Sequence, residues 1–411
     1  LSRVLFLAES FHPVFGGGEN HVRQLGARLV AMGHEATVVT RRSEAGWPSE
    51  DEVDGIRVRR VAPSGPARAG KYLMVPGVLR AVLREGRLGD VLVVRGTRVL
   101  GVPGLLAGRA LGRPVVLQPE TNGELSGEAL TWGWRRGRAL GPAVRGLVAI
   151  RNLWLRDAEA FVAMSQRIRD EITGAGVAPE RVALIPHGVD TDRFRPPEPG
   201  EREALRGALG LPGGLIAVFT GRLLRGKGLE TLLGAFAQVA TTRPDLHLVL
   251  VGSGEGQALS VEEELKAEVG QRGLADRVTF AGRVDAVEGH LRAADLFVFP
   301  SVFEGLGISL VEAFACGLPA VASRTGGIVD VVEDGRSGLL VTPGRADELV
   351  RALASMARDA GARERMGARA RARALERFDQ RDATRRYVAL FQEVAARSRA
   401  LTPPPRPRPG P

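Results

Sequence analysis

Two acids stand with seven residues between them around a glycine-rich turn, in Phe303-Glu304-Gly305-Leu306-Gly307-Ile308-Ser309-Leu310-Val311-Glu312. The apolar residues after Gly307 predict a helix, which puts Glu304 in the turn and Glu312 inside the helix. Backbone N–H groups at a helix start attract anions, and glycines let a ligand come close to the main chain. The carboxylates beside them accept hydrogen bonds from hydroxyl groups. Anion donors next to hydroxyl acceptors suit a nucleoside-diphosphate sugar. Taken alone, the stretch fits an amphipathic helix with a polar cap equally well.

A second segment favours the ligand. Leu215–Thr220 reads as a buried strand, followed by Gly221-Arg222-Leu223-Leu224-Arg225-Gly226-Lys227-Gly228 and an apolar-periodic helix from Leu229 to about Ala240. Strand, basic glycine turn and helix start form the arrangement that holds phosphates in open α/β sheets. Arg222 can clamp phosphate oxygens and Lys227 can add a point charge, whereas Arg225 reads as solvated surface. Gly16-Gly17-Gly18-Glu19 is a second glycine turn between a strand and a helix, with Gly17 and Gly18 able to aim N–H groups at an anion.

With Pro186-His187-Gly188-Val189-Asp190, Cys316-Gly317-Leu318-Pro319, Gly326-Gly327 and Glu333-Asp334-Gly335, these motifs resemble the retaining glycosyltransferases of family 4, which have the GT-B fold. The resemblance runs from about residue 3 to about residue 397, in family order and spacing. It implies two doubly wound Rossmann-like α/β domains facing a cleft, with a C-terminal helix crossing back to the first. It implies that Glu304 and the backbone of Gly305, Leu306 and Gly307 hold the donor sugar, and that Glu312 takes the nucleotide ribose. Arg222 and Lys227 would contact the diphosphate, Gly17 and Gly18 would approach it, and Val284 would line the base. The implied reaction moves a sugar from a nucleoside-diphosphate sugar to a hydroxyl of a glycan or lipid-linked acceptor, as in cell envelope polysaccharide biosynthesis.

One departure stands out. Many members carry a histidine after the strand that here contains Val115-Val116, where this chain has Leu117-Gln118-Pro119-Glu120. Glu120 is therefore an acceptor-side candidate, together with His12 near the glycine loop. No cofactor or metal is expected, since Arg222, Lys227 and the helix dipole can offset diphosphate charge. Asp190-Thr191-Asp192 reads as a capping turn rather than a metal site. Gly252-Ser253-Gly254-Glu255-Gly256-Gln257 lacks the third glycine of a dinucleotide fingerprint and reads as a loop beside the base. A nucleotide-sugar epimerase of the same fold, and a non-catalytic nucleotide-sugar-binding protein, are the alternatives.

The elements that must carry these residues alternate between strands and helices. Strands are expected near 3–8, 36–40, 56–61, 91–95, 115–118, 160–164 and 182–186. A second set is expected near 215–220, 246–252, 278–281, 296–299, 320–322 and 339–341, giving two consecutive doubly wound domains. The expected boundaries are 1–190, 191–377, a crossover helix in 378–400 and a proline-rich disordered tail in 401–411. The stretch from Pro186 to about Gly213 reads as an irregular hinge.

The net charge is +10, and residues 57–170 hold 20 Lys/Arg against 8 Asp/Glu, so the excess sits in the first half. Trp132, Trp134 and Trp154 lie among arginines in this part, an amphipathic surface for an acceptor or an anionic membrane, unless the tryptophans simply pack between helices. Nucleic acid is not an expected partner, because no recognition-helix pattern accompanies the charge. No apolar run reaches the ~20 residues needed to span a bilayer. The expected location is cytoplasmic, with peripheral contact to the inner face of the membrane.

Overall fold

The computed structural model describes residues 2–14, 16–65, 67–85, 89–128, 141–257 and 259–401. The chain divides into two compact units: Leu1–Ile185 with the chain from Ala383 onward, and Pro186–Asp382.

The first unit holds an eight-stranded sheet in the order β3-β4-β2-β1-β5-β6-β7-β8. Its strands are β1 (Arg3–Leu7), β2 (Glu35–Arg41), β3 (Glu50–Val53), β4 (Ile56–Val61), β5 (Val91–Arg95), β6 (Val115–Gln118), β7 (Ala160–Ala163) and β8 (Val182–Leu184). All neighbours are parallel except β3 and β4. The central strands are buried along their length, as helices on both faces require, which is why they read as unbroken apolar runs.

β3 was not expected, because Glu50-Asp51-Glu52 is a poor strand sequence by propensity. It forms through its partner: Glu50 lies opposite Arg59 and Glu52 opposite Arg57. Arg60 also meets Asp51 at 2.8 Å. The linking turn is Asp54-Gly55, both at positive φ (51° and 78°), a strong two-residue hairpin signal.

The second unit holds six parallel strands in the order β11-β10-β9-β12-β13-β14. These are β9 (Leu215–Thr220), β10 (Leu246–Val251), β11 (Val278–Gly282), β12 (Leu296–Phe299), β13 (Ala320–Ser323) and β14 (Gly338–Val341). Counted within the unit, the order is 3-2-1-4-5-6, the doubly wound arrangement in which the chain reverses direction across the sheet between its first and fourth strands. β1 and β5 are the equivalent pair in the first unit.

The last helix, Gln380–Leu401, returns to the first unit. Tyr387, Phe391 and Val394 are buried there among Val4, Phe6, Val22 and Val93, with Leu390 packed at the margin. The Tyr387 hydroxyl accepts a hydrogen bond from Gln118 Nε2 at 2.8 Å. Both connectors belong to the second unit, because Val189 N–H donates to Phe378 O and Gln380 N–H donates to Val189 O, strapping the outgoing and returning chain together. The hinge expected to be irregular contains a helix, Glu201–Ala208, held by Arg195 and Arg292 on Glu201.

Candidate functional site

In the second unit the candidate residues gather at the carboxyl ends of β9 and β12, on either side of the point where the strand order reverses. Gly221 extends β9 by donating to Val251 O at 2.9 Å. The chain then runs through Arg222 to Lys227 and enters the helix Leu229–Ala240 at Gly228, whose φ is +71°. A Cβ on Gly228 would lie 2.1 Å from the Pro300 carbonyl oxygen, so only glycine lets this loop meet the end of β12. Val302 N–H donates to Gly226 O at 2.9 Å and fastens the two loops.

After β12 the chain passes Glu304 and turns at Gly307 (φ +90°) into the helix Ile308–Ala315, which no side chain caps. Lys227 Nζ donates to Glu304 Oε2 at 2.6 Å, with about a fifth of each side chain exposed. The Lys227 ammonium also lies 5.8 Å from the centre of the Phe299 ring. Arg222 is exposed and makes no side-chain hydrogen bond or ion pair among the described residues. Arg225 pairs with Glu230 and Glu264 on the surface, as its reading as a solvated residue expected.

Glu312 differs from Glu304. Its carboxyl makes no hydrogen bond or ion pair among the described residues. Burial pushes it up to about 7, against the pull of Arg193 and with help from Glu288. Arg193 is committed elsewhere, donating to Glu288 Oε2 at 2.8 Å and to Asp285 O at 3.0 Å. Glu312 is half-buried, and a largely desolvated carboxyl without a partner among the described residues is costly and suits a hydrogen-bonding ligand. Val284 is half-buried in the turn after β11. In the loop after β10, Glu262 already takes Ser253 Oγ (2.7 Å) and the Gly254 N–H (2.8 Å), so that amide is not free for a pyrophosphate.

The first unit gathers a second set. The helix Gly17–Ala31 starts inside the glycine run without a side-chain cap, and Glu19 accepts from Ser10 Oγ at 2.5 Å. A Cβ on Gly18 would lie 3.2 Å from Arg95 Nη2 and 3.5 Å from Glu120 Oε1, so the helix start rests against this pair. Arg95 is buried at the end of β5, and its Nε and Nη2 each stand 3.3 Å from Glu120 Oε1. Glu120 remains reachable by water, at 37% side-chain exposure. Its surroundings nonetheless raise it to about 7: burial acts first, Arg95 opposes it, and Glu124, Glu19 and Glu9 add to it.

His12 does not join this group. Its ring faces Arg23 at 3.5 Å, with Asp54 nearby, and burial followed by the Arg23 charge lowers its basicity. Sequence reasoning missed Arg95 and Glu124. Glu124 is buried and accepts from Thr97 N–H and Oγ1 (2.7 and 2.8 Å) and from the Glu120 N–H (3.0 Å), which fixes the Glu120 loop. Arg95 closes an apolar strand and Glu124 lies beyond a glycine turn, so neither carries a local signal.

Asp190 accepts from the backbone of Asp192 and Arg193 as a capping turn. No group of three or more His, Cys, Asp or Glu that could hold a metal occurs among the described residues. Trp132 and Trp134 lie outside the described residues, and no helix among those described is long and apolar enough to cross a membrane.

Two doubly wound units in one chain, with basic and acidic loops at the point where the second sheet reverses, define a GT-B protein. The model for glycosyltransferase family 4 matches residues 15–193, and that for glycosyl transferases group 1 matches residues 201–373. D-inositol 3-phosphate glycosyltransferase 2 of Catenulispora acidiphila is 32% identical over 343 residues, 79% of this chain and 78% of that protein. A sucrose-phosphate synthase of Thermosynechococcus elongatus superposes with a TM-score of 0.80 at 24% identity, covering 97% of this chain and 100% of the other. Anabaena Alr3699/HepE, solved in complex with UDP, gives 0.75 at 25% identity over 95% of this chain and 100% of its own. The chain belongs to the retaining glycosyltransferases of family 4 and is a glycosyltransferase.

Proposed function

We propose that this glycosyltransferase moves a sugar from a nucleoside-diphosphate donor to a hydroxyl of a glycan or lipid-linked acceptor, with no divalent metal. The observation that carries this reading is the charge pattern where the second sheet reverses. The Lys227–Glu304 pair lies with Arg222 and Glu312, both without a side-chain partner among the described residues, on loops and a helix that leave β9 and β12. HepE, a relative in fold, was solved with UDP, which supports a uridine nucleotide as the first donor to test.

Glu304 would take hydroxyls of the donor sugar, with Gly305, Leu306 and Gly307 presenting backbone groups. Glu312 would take the ribose. As the bond from the anomeric carbon to the phosphate oxygen breaks, negative charge grows on the leaving diphosphate. Arg222 and Lys227 would stabilise that charge where it develops, which lowers the barrier rather than merely tightening binding. The acceptor oxygen forms its bond to the same face of the anomeric carbon and passes its proton to the leaving phosphate. Glu120, held by Arg95 beneath the Gly17-Gly18 turn, would orient the acceptor.

The test is incubation with a panel of nucleotide sugars and candidate acceptors, with and without EDTA, while following free nucleotide and the donor sugar. Release of nucleotide in EDTA supports the reading. An epimerised donor without release would indicate an epimerase, and binding without any conversion would indicate a binding protein.

A further inference from the structure

The helix Pro142–Leu155 in the first unit is apolar on two sides. Val148, Asn152 and Leu155 are buried and hold it to the unit, next to the helix Gly101–Leu111. Leu147, Ile150, Leu153 and Trp154 face solvent, with 68%, 56%, 56% and 45% of their surfaces exposed. At 100° per residue these four span about 120° of the helix, opposite the buried face. A helix with a second apolar face left in solvent normally lies against a partner or a non-aqueous phase. A contiguous exposed patch of this kind marks an interaction surface.

Charge says what covers it. From Glu128 to Asp157 the sequence contains six arginines and no intervening acid. Arg135, Arg136 and Arg138 lie outside the described residues, while Arg151 and Arg156 donate to Glu124 O and Ala175 O. Arg145 is exposed on the helix itself. Arg109, from the helix Gly101–Leu111, pairs with Asp157 and holds its guanidinium 6.0 Å from the centre of the Trp154 ring. An indole beside arginine at the rim of an apolar stripe suits the boundary between water and hydrocarbon.

We propose that this face docks on an anionic lipid bilayer, the helix lying in the headgroup plane with Leu147, Ile150 and Leu153 inserted. Two copies of the face set against each other would bring together two segments that each carry six arginines and no acid between Glu128 and Asp157. Anionic headgroups supply the missing charge. The proposal is independent of the donor and acceptor assignments, because lipid binding is measured with neither present.

The experiment is co-sedimentation of the full chain with vesicles of phosphatidylcholine plus phosphatidylglycerol, and with phosphatidylcholine alone. The wild type is expected to sediment with the anionic vesicles, to stay in solution with the neutral ones, and to be released by salt. Leu147→Asp with Ile150→Asp should lower the partition at least about tenfold, since the inserted apolar surface is lost. Its melting temperature should stay near that of the wild type, because both positions are exposed. Arg145→Glu should weaken binding and flatten its salt dependence. Should the double variant melt early, Leu147→Ser and Ile150→Ser are read singly in its place. Wild-type protein that ignores anionic vesicles, or an apolar-face variant that partitions like the wild type, overturns the proposal. So does a wild-type dimer that the double variant converts to monomer, since a second copy would then own the face.

Discussion

Lys227 and Glu304 lie 77 residues apart on different loops, yet Nζ and Oε2 are 2.6 Å apart. The contact spans β9 and β12, the two strands between which the sheet order of the second unit reverses. Without a donor the two charges neutralise each other at a partly buried position. A donor would separate their tasks, with phosphate meeting the ammonium and sugar hydroxyls meeting the carboxylate.

Glu304→Gln should therefore reduce turnover more than nucleotide affinity. Lys227→Ala and Arg222→Ala should each cost on the order of 3 kcal/mol of transition-state stabilisation, roughly two powers of ten in rate. Steady-state kinetics with nucleotide titration separates the two quantities. Wild-type turnover in Glu304→Gln and Arg222→Ala would remove the site assignment and leave a fold without this chemistry.

Glu312 carries a cost that its removal should reveal. Its carboxyl is raised from 4.5 to about 7. A carboxyl more basic in the folded than in the unfolded chain keeps its proton longer when folded. Its contribution to stability is present below about 4.5 and declines as pH rises through about 7. Glu312→Gln should raise the melting temperature of the free protein at pH 8, by something on the order of 1–3 kcal/mol in stability, and change little at pH 4. The same variant should weaken nucleotide binding by roughly 1–3 kcal/mol. Calorimetry at the two pH values checks the first part and nucleotide titration the second; a loss of stability at pH 8 would contradict the account.

Glu120, also raised to about 7, should leave its mark on the rate. With Glu120 bearing on the acceptor, kcat/KM should inflect near pH 7 as the carboxyl ionises, and Glu120→Gln should abolish that inflection. Glu120→His, which restores the residue type many family members carry, should retain more activity than the glutamine variant. An unchanged pH profile in Glu120→Gln would assign Glu120 to structure alone.

Gly228→Ala tests the join of the two loops. The new Cβ would lie 2.1 Å from Pro300 O at a φ of +71°. The protein should lose on the order of 2–4 kcal/mol of stability, read as a fall in melting temperature, and turnover should fall with it as the Lys227 loop shifts. A melting temperature equal to that of wild type would show that the loops do not meet this closely.

Activity in EDTA is expected to equal that in magnesium, since in the proposed reaction Arg222, Lys227 and the uncapped helix start at Ile308 would supply the positive field. Loss of turnover with the chelator, restored by a divalent ion, would reassign the charge stabilisation to a metal.

Much of this was legible in the chain itself. Central parallel strands such as Leu215–Thr220 are covered on both faces, so their apolar runs announced them, and the glycine turns marked where helices begin. The pairs Gly221-Arg222, Lys227-Gly228 and Glu304-Gly305 could be read because each belongs to one local strand–turn–helix unit. β3 was not legible by composition, because its acids become favourable only opposite Arg57 and Arg59, and the Asp54-Gly55 turn signal went unread.

Residue types and their spacing determined which units would form and which loops carry the basic and acidic candidates. Only the tertiary structure decided which distant groups share a space. Strand order brings Lys227 to Glu304, half-buries Glu312 without a partner among the described residues, and sets Arg95 against Glu120, while the turn after β1 directs His12 toward Arg23 instead. Nor could periodicity tell the buried face of Pro142–Leu155 from its equally apolar exposed one. The physical reason is common to all of these. Local propensity and period act over a few residues, whereas burial and charge pairing depend on neighbours that the fold brings from tens or hundreds of positions away.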